Sequence, residues 1–252
     1  MKYSLCLETV FKELDFYDRI ALAADLGFDA IEFWDPARYD AGKIGRLAAQ
    51  HKLPVAACCI LGSGASPLDM PFPALRGIVE RSIELAREFG CDRLICLGGQ
   101  VSGRAGDSSQ SLVIAENCKR IAELCERSGT VLVIEALNSL YDHKGYYLDS
   151  SAATFNILKA VGHPLIKMLF DCYHMQLMEG NLVNNIVGNI DLIGHFHAAG
   201  APGRGEPFKG ETNYRRVLEA IGGTDYNGYF GLEYMPSYES AQSLADVLKN
   251  FI

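Results

Sequence analysis

Eight short apolar runs, spaced about 32 residues apart from start to start, alternate with helical stretches along the whole chain. They are Tyr3–Leu7, Ala30–Phe33, Val55–Ile60, Arg93–Leu97, Val131–Ala136, Ile166–Asp171, Leu192–Ala198 and Gly228–Tyr234. Most are continuously apolar, not alternating, and that is how strands covered on both faces of a parallel sheet read. Strands of this kind need crossover helices, and helical patterns fill the gaps. Asp15 can cap a helix carrying Phe16, Ile20, Ala23 and Leu26 that stops at Gly27. Pro73 suits the first turn of a run from Leu75 to Gly90. Ser109 or Ser111 can start the helix through Ile114, Cys118, Ile121 and Cys125, and Ser150 or Ser151 the one over Ala152–Val161. Thr212–Ile221 and Ser240–Ile252 supply the last two, while Ala41–Gln50 and Asn181–Ile190 fill the second and sixth places.

Eight strands and eight helices in strict alternation predict a single (β/α)8 TIM barrel over residues 1–252, a length at which such barrels form one domain. The competing architecture is a doubly wound open sheet, which calls for a glycine-rich phosphate loop after its first strand. Glu8-Thr9-Val10-Phe11 stands there instead. Neither Gly62-Ser63-Gly64 nor Gly203-Arg204-Gly205 completes G-x-G-x-x-G, and no P-loop motif occurs.

Composition removes several function classes. A net charge of −8 speaks against a nucleic-acid backbone binder. No apolar run reaches the ~18–20 residues of a membrane span. The N-terminus meets Glu8 before a signal-peptide core could form, so a cytoplasmic protein is expected. The eight cysteines are too sparse for a disulfide scaffold and contain no C-x-x-C pair; they read as small buried hydrophobes.

In a barrel, chemistry sits at the carboxyl ends of the strands. The fifth run ends in Glu135, the sixth in Asp171 with His174 three residues on, the seventh gives His195-Phe196-His197, and the eighth ends in Glu233. Each polar residue follows apolar ones, where an unpaired charge is costly. One divalent ion held by Glu135, Asp171, His197 and Glu233 accounts for all four. Three carboxylates and an imidazole suit Mg²⁺, Mn²⁺ or Co²⁺ better than a structural zinc. His195 and His197 point the same way on one strand; His197 lies nearer its end, leaving His195 to pack or to orient its neighbour. Trp34, after Glu32-Phe33, is positioned either to wall a sugar pocket or simply to pack. Glu32 reads as a supporting or structural acid. The loops Leu61–Met70 and Gln100–Ser109 have the small-residue composition of lids and equally of mobile surface.

Val133-Ile134-Glu135-Ala136-Leu137-Asn138, Phe170-Asp171-Cys172-Tyr173-His174, Gly194-His195-Phe196-His197 and Gly231-Leu232-Glu233-Tyr234 resemble the xylose-isomerase-like TIM-barrel superfamily over essentially the whole chain. Pro202-Gly203-Arg204-Gly205-Glu206-Pro207 with Gly210-Glu211-Thr212-Asn213-Tyr214 resembles the hydroxypyruvate isomerase family, which includes 2-oxo-tetronate isomerases. The resemblance implies that Glu135 and Glu233 move protons as well as bind metal, and that His174 and Arg204 hold substrate oxygens. Arg204 is chemically suited to a substrate carboxylate because its planar fork binds both oxygens. Some isomerases of that branch carry glutamine where His197 stands and histidine where Gly205 stands, and the first-strand loop also differs. A histidine at that position is the epimerase pattern.

The expected activity is therefore metal-dependent isomerisation of a small hydroxy-keto acid or sugar through an enediolate, with a ketose 3-epimerase as the alternative. An endonuclease-IV-like nuclease and a non-catalytic sugar-binding barrel are weaker readings; six histidines are too few and poorly placed for a trinuclear zinc site. Expected partners are the small-molecule substrate and neither nucleic acid nor membrane. Oligomeric state is open, a homo-oligomer included.

Overall fold

The computed structural model describes residues 1–62, 64, 67–102 and 109–251. Its centre is a closed ring of eight parallel strands, β1 (Lys2–Cys6), β2 (Ala30–Phe33), β3 (Val55–Cys59), β4 (Arg93–Leu97), β5 (Val131–Glu135), β6 (Ile166–Asp171), β7 (Ile193–Ala198) and β8 (Tyr229–Leu232), each paired with its neighbours in sequence. The ring shuts where β1 meets β8, with Ser4 opposite Gly231 and Leu5 opposite Leu232. All eight expected strands are present, three with the expected bounds and five with ends moved by one or two residues.

Helices coat the ring: α1 (Phe16–Asp25), α2 (Ala41–His51), α3 (Phe72–Glu88), α4 (Ser109–Ser128), α5 (Ser151–Val161), α6 (Cys172–Met178), α7 (Leu182–Val187), α8 (Tyr214–Gly222) and α9 (Ser240–Asn250). Asp15 caps α1 by accepting from the Tyr17 N–H, and Ser150 caps α5. Most of the buried apolar residues form one core between strands and helices, while Ala57, Cys59, Ile95, Val133 and Leu169 make a smaller cluster inside the ring. All eight cysteines are buried, and burial pushes the Cys118 and Cys125 thiols up to about 12.

In the sixth crossover the helix expected over Asn181–Ile190 is present as α7, and α6, which was not expected, precedes it. Two short helices stand there, because Asp171 ends β6 and caps α6 at once: its carboxylate accepts from the Tyr173 N–H at 2.7 Å and the His174 N–H at 3.4 Å. Gly180 and Asn181, both with positive φ, then separate α6 from α7. A helix that begins at a strand's last residue leaves no loop signal to read. The candidate lids Leu61–Met70 and Gln100–Ser109 lie partly outside the described residues.

Candidate active site

Strand ends place the polar residues. Glu135 and Asp171 are the last residues of β5 and β6, His197 is the penultimate residue of β7, and Glu233 follows β8 directly. One donor atom from each lies within 4.8 Å of the other three, and all four residues are buried. His197 Nδ1 sits 3.5 Å from Glu233 Oε2 and 3.8 Å from Glu135 Oε1 and has no hydrogen-bond partner among the described residues. An unpartnered buried imidazole nitrogen facing carboxylates just beyond hydrogen-bond reach is what a shared cation would resolve. Hard oxygens with one imidazole suit Mg²⁺, Mn²⁺ or Co²⁺, so the donor set fits the ion expected there.

The electrostatics are those of a crowded anionic site. Burial and the nearby Glu233 carboxylate push the Asp171 carboxyl up, with Arg204 opposing. Glu233 moves the other way: burial works against its charge, but Arg204 and His197 hold it well below the usual carboxylate range. The imidazole of His197 is raised, since the Glu32 and Glu233 carboxylates override its burial.

Two further groups converge on Glu233. Trp34 donates its indole N–H to one carboxylate oxygen and Arg204 forms an ion pair with the other. Trp34 is held in turn through its backbone N–H, which donates to Glu8, a carboxylate that also accepts from the Tyr39 hydroxyl at 2.8 Å. Arg204 occupies a left-handed turn with φ of 56°, and its backbone carbonyl accepts from the Met235 N–H at 2.7 Å. Among the described residues its Nε has no hydrogen-bond partner, so the guanidinium keeps a donor that they do not use.

His174 lies under the loop after β5. The backbone N–H of Asn138 donates to its Nδ1 at 3.2 Å, and the Asn138 side-chain amide nitrogen lies 2.7 Å from the same atom. A backbone N–H can only donate, so Nδ1 is the acceptor and Nε2 carries the proton. Nε2 has no hydrogen-bond partner among the described residues and lies 3.5 Å from Asp171 Oδ2. Burial and the Arg204 cation lower the His174 pKa to about 3, so the ring is neutral at physiological pH.

These groups border a cavity of about 220 Å³. Trp34, Cys59, Leu97 and Leu137 form its apolar side, and Glu135, His143, Arg204 and Glu233 its polar side. It is smaller than the ~300–1,000 Å³ pockets of drug-sized ligands, so it suits a small molecule. Of the residues singled out in the sequence, Trp34, Glu135, Arg204 and Glu233 line this space, with Asp171, His174 and His197 gathered beside them. His195 turns away to Glu32. Glu8, Asn138 and His143 went unassigned. Asn138 had a signal, standing three residues past a strand end, whereas His143 lies in a loop with none.

The sequence profile of the xylose isomerase-like TIM barrel family matches residues 20–251. The chain belongs to this family. It is 33% identical over 245 residues to hydroxypyruvate isomerase of Escherichia coli (strain K12), covering 94% of both chains. It is 31% identical over 242 residues to 2-oxo-tetronate isomerase of Cupriavidus necator, covering 93% of both. Relatives of that identity and coverage make this family member an isomerase. Among solved structures, the Brucella melitensis protein described as AP endonuclease, family 2, superposes with a TM-score of 0.91 at 27% identity over 98% of both chains. Among the described residues, no helix of this isomerase is long and apolar enough to cross a membrane.

Proposed function

We propose that this isomerase shifts a carbonyl between neighbouring carbons of a small hydroxy-keto acid of the hydroxypyruvate or 2-oxo-tetronate class, with a divalent ion as cofactor. The observation that carries the reading is the convergence of Glu135, Asp171, His197 and Glu233 within 4.8 Å beside a small cavity whose polar side includes Arg204. A bound Mg²⁺, Mn²⁺ or Co²⁺ would supply the positive charge an enediolate needs.

The chain's own groups supply the rest. Glu135 and Glu233 stand on strands three places apart in the ring. One carboxylate takes the proton alpha to the carbonyl, and the same one or its counterpart returns a proton to the adjacent carbon. His174, neutral and protonated at Nε2, is a fixed donor to a substrate oxygen. Arg204 offers its unused Nε–H to the substrate carboxylate while its other arm stays on Glu233. Trp34 and the apolar side keep water from the reacting carbons.

His197 favours a second reading, a ketose 3-epimerase, since some isomerases of this branch carry glutamine there. The same proton abstraction would serve it, but a neutral ketose leaves Arg204 without a carboxylate to bind. A nuclease fits poorly with a net charge of −8 and a cavity of this size.

The deciding experiment incubates metal-reconstituted enzyme in D₂O with hydroxypyruvate, 2-oxo-tetronates and free ketoses. Turnover of a keto acid with deuterium entering the alpha carbon is expected. Glu135→Gln and Glu233→Gln should be folded and nearly inactive, since general-base loss costs ~10²–10⁴-fold. Turnover of neutral ketoses alone would establish the epimerase, and wild-type exchange rates in both variants would refute the carboxylate shuttle.

A further inference from the structure

Glu32 is a fully buried carboxylate in the middle of the barrel that the proposed chemistry does not use. It stands on β2, yet its partners are on β7. Oε2 accepts from His195 Nε2 at 2.7 Å and from the Ser4 hydroxyl at 3.1 Å, while Oε1 faces His197 Nε2 at 3.2 Å as an ion pair, neither of these two atoms having a hydrogen-bond partner among the described residues. In the ring, β1 and β8 separate β2 from β7. The side chain therefore crosses the interior over two strands, and the residues beneath it are small. Ser4 on β1 pairs with Gly231 on β8, which pairs with His197. A Cβ on Gly231 would collide with Glu32 Oε1 and come within 2.8 Å of His197 Cδ2.

We propose that Glu32 is a positioning residue that fixes the ring of His197, holding a proton on Nε2 and leaving Nδ1 as a lone-pair donor toward Glu135 and Glu233. The proposal rests on the metal reading above. Orientation of a ligating imidazole through its other nitrogen sets the tautomer and raises the ligand's basicity. The position of Glu32 is itself set: His195 and Ser4 hold one oxygen, so the other is aimed at His197. Glu32, His195 and His197 could also be read as a second metal site. The 2.7 Å contact between His195 Nε2 and Glu32 Oε2 argues against that, because it takes up the His195 nitrogen nearest the carboxylate and leaves only Glu32 Oε1 and His197 Nε2 facing each other.

Co²⁺ is the probe, added to metal-free enzyme and followed by its visible absorption bands and by the fluorescence of Trp34. Asp171→Ala serves as the control for the metal reading. Wild type should bind one Co²⁺ per chain and Asp171→Ala none. Glu32→Gln keeps the size but loses the charge that polarises His197. Its Co²⁺ affinity should fall roughly 10–100-fold, with shifted absorption bands, the usual cost of losing such an outer partner. Ser4→Ala, which removes the hydroxyl that helps hold Glu32 Oε2 and touches no proposed ligand, should weaken Co²⁺ binding in the same direction and decides the matter if Glu32→Gln does not fold. Wild-type affinity and bands in both variants, beside a dead Asp171→Ala, would overturn the positioning role alone. Two ions in wild type and one in Glu32→Gln would make Glu32 a ligand instead. No Co²⁺ binding by wild type would remove the metal reading and this proposal with it.

Discussion

Trp34, the one tryptophan in the chain, donates its indole N–H to Glu233 across the mouth of the barrel. Any event at that carboxylate is therefore reported by the intrinsic fluorescence of the whole protein. Titration of metal-free enzyme with Mn²⁺ should change the emission in a saturable way. Trp34→Phe keeps an aromatic wall but removes a hydrogen bond to a charged acceptor, a contribution of about 1.5–3 kcal/mol. Its kcat/KM should fall roughly 10–100-fold with the fold intact. Steady-state kinetics and circular dichroism check this, and an unimpaired variant would detach Trp34 from the chemistry.

The proposed ligand set predicts a stoichiometry. Protein purified without chelator should carry about one divalent ion per chain, and Asp171→Ala or His197→Ala should lose it. Elemental analysis measures this directly; unchanged content in both variants would rule the quartet out.

Arg204→Lys retains the cation and discards the planar fork. With a keto-acid substrate, kcat/KM should drop by roughly 10²-fold, whereas a neutral ketose should hardly register the change. Comparing the two substrate classes on one variant separates carboxylate recognition from damage to Glu233.

Glu206 anchors the loop that carries Arg204. Its carboxylate accepts from the Ser237 N–H at 2.9 Å, the Ser237 hydroxyl at 2.7 Å and the Ser243 hydroxyl at 2.8 Å. Burial works against its charge, but these hydrogen bonds prevail and lower the pKa to about 2. A carboxylate depressed on folding stabilises the native state above its unfolded value and loses that contribution as pH falls toward the folded value. Wild type should therefore exceed Glu206→Gln in stability by about 1.5–3 kcal/mol at pH 7, the worth of a hydrogen bond to a charged group. The gap should close between about pH 4.5 and 2. Denaturant melts across that range test it, and a gap that persists at pH 2 would contradict the assignment.

The barrel was legible because its strands are apolar on both faces, so runs such as Leu132–Ile134 and Met168–Phe170 stand out without any knowledge of partners. The candidate site was legible for a related reason: a carboxylate directly after such a run marks the strand's end. What escaped was everything that depends on contact across the ring. Glu32 and His195 are 163 positions apart, and no local pattern links them. The tautomer of His174 depends on the backbone of Asn138, which no side-chain chemistry announces. The start of α6 was hidden because Asp171 serves as strand end and helix cap together, and its position had already been read as a metal ligand.

Closure of the ring through Ser4 and Gly231 joins residues 227 positions apart. At the ~5–20 residues per second of translation, β1 waits about 11–45 s on the ribosome for its final neighbour. Throughout that interval one edge of the nascent sheet is open to other chains. The four grouped side chains lie at the ends of the last four strands to be made, and Glu233 follows the very strand that seals the edge. Completing the sheet and completing the site are thus one event in the life of the newborn chain, and a ribosome that stalls before residue 229 releases a polypeptide with neither.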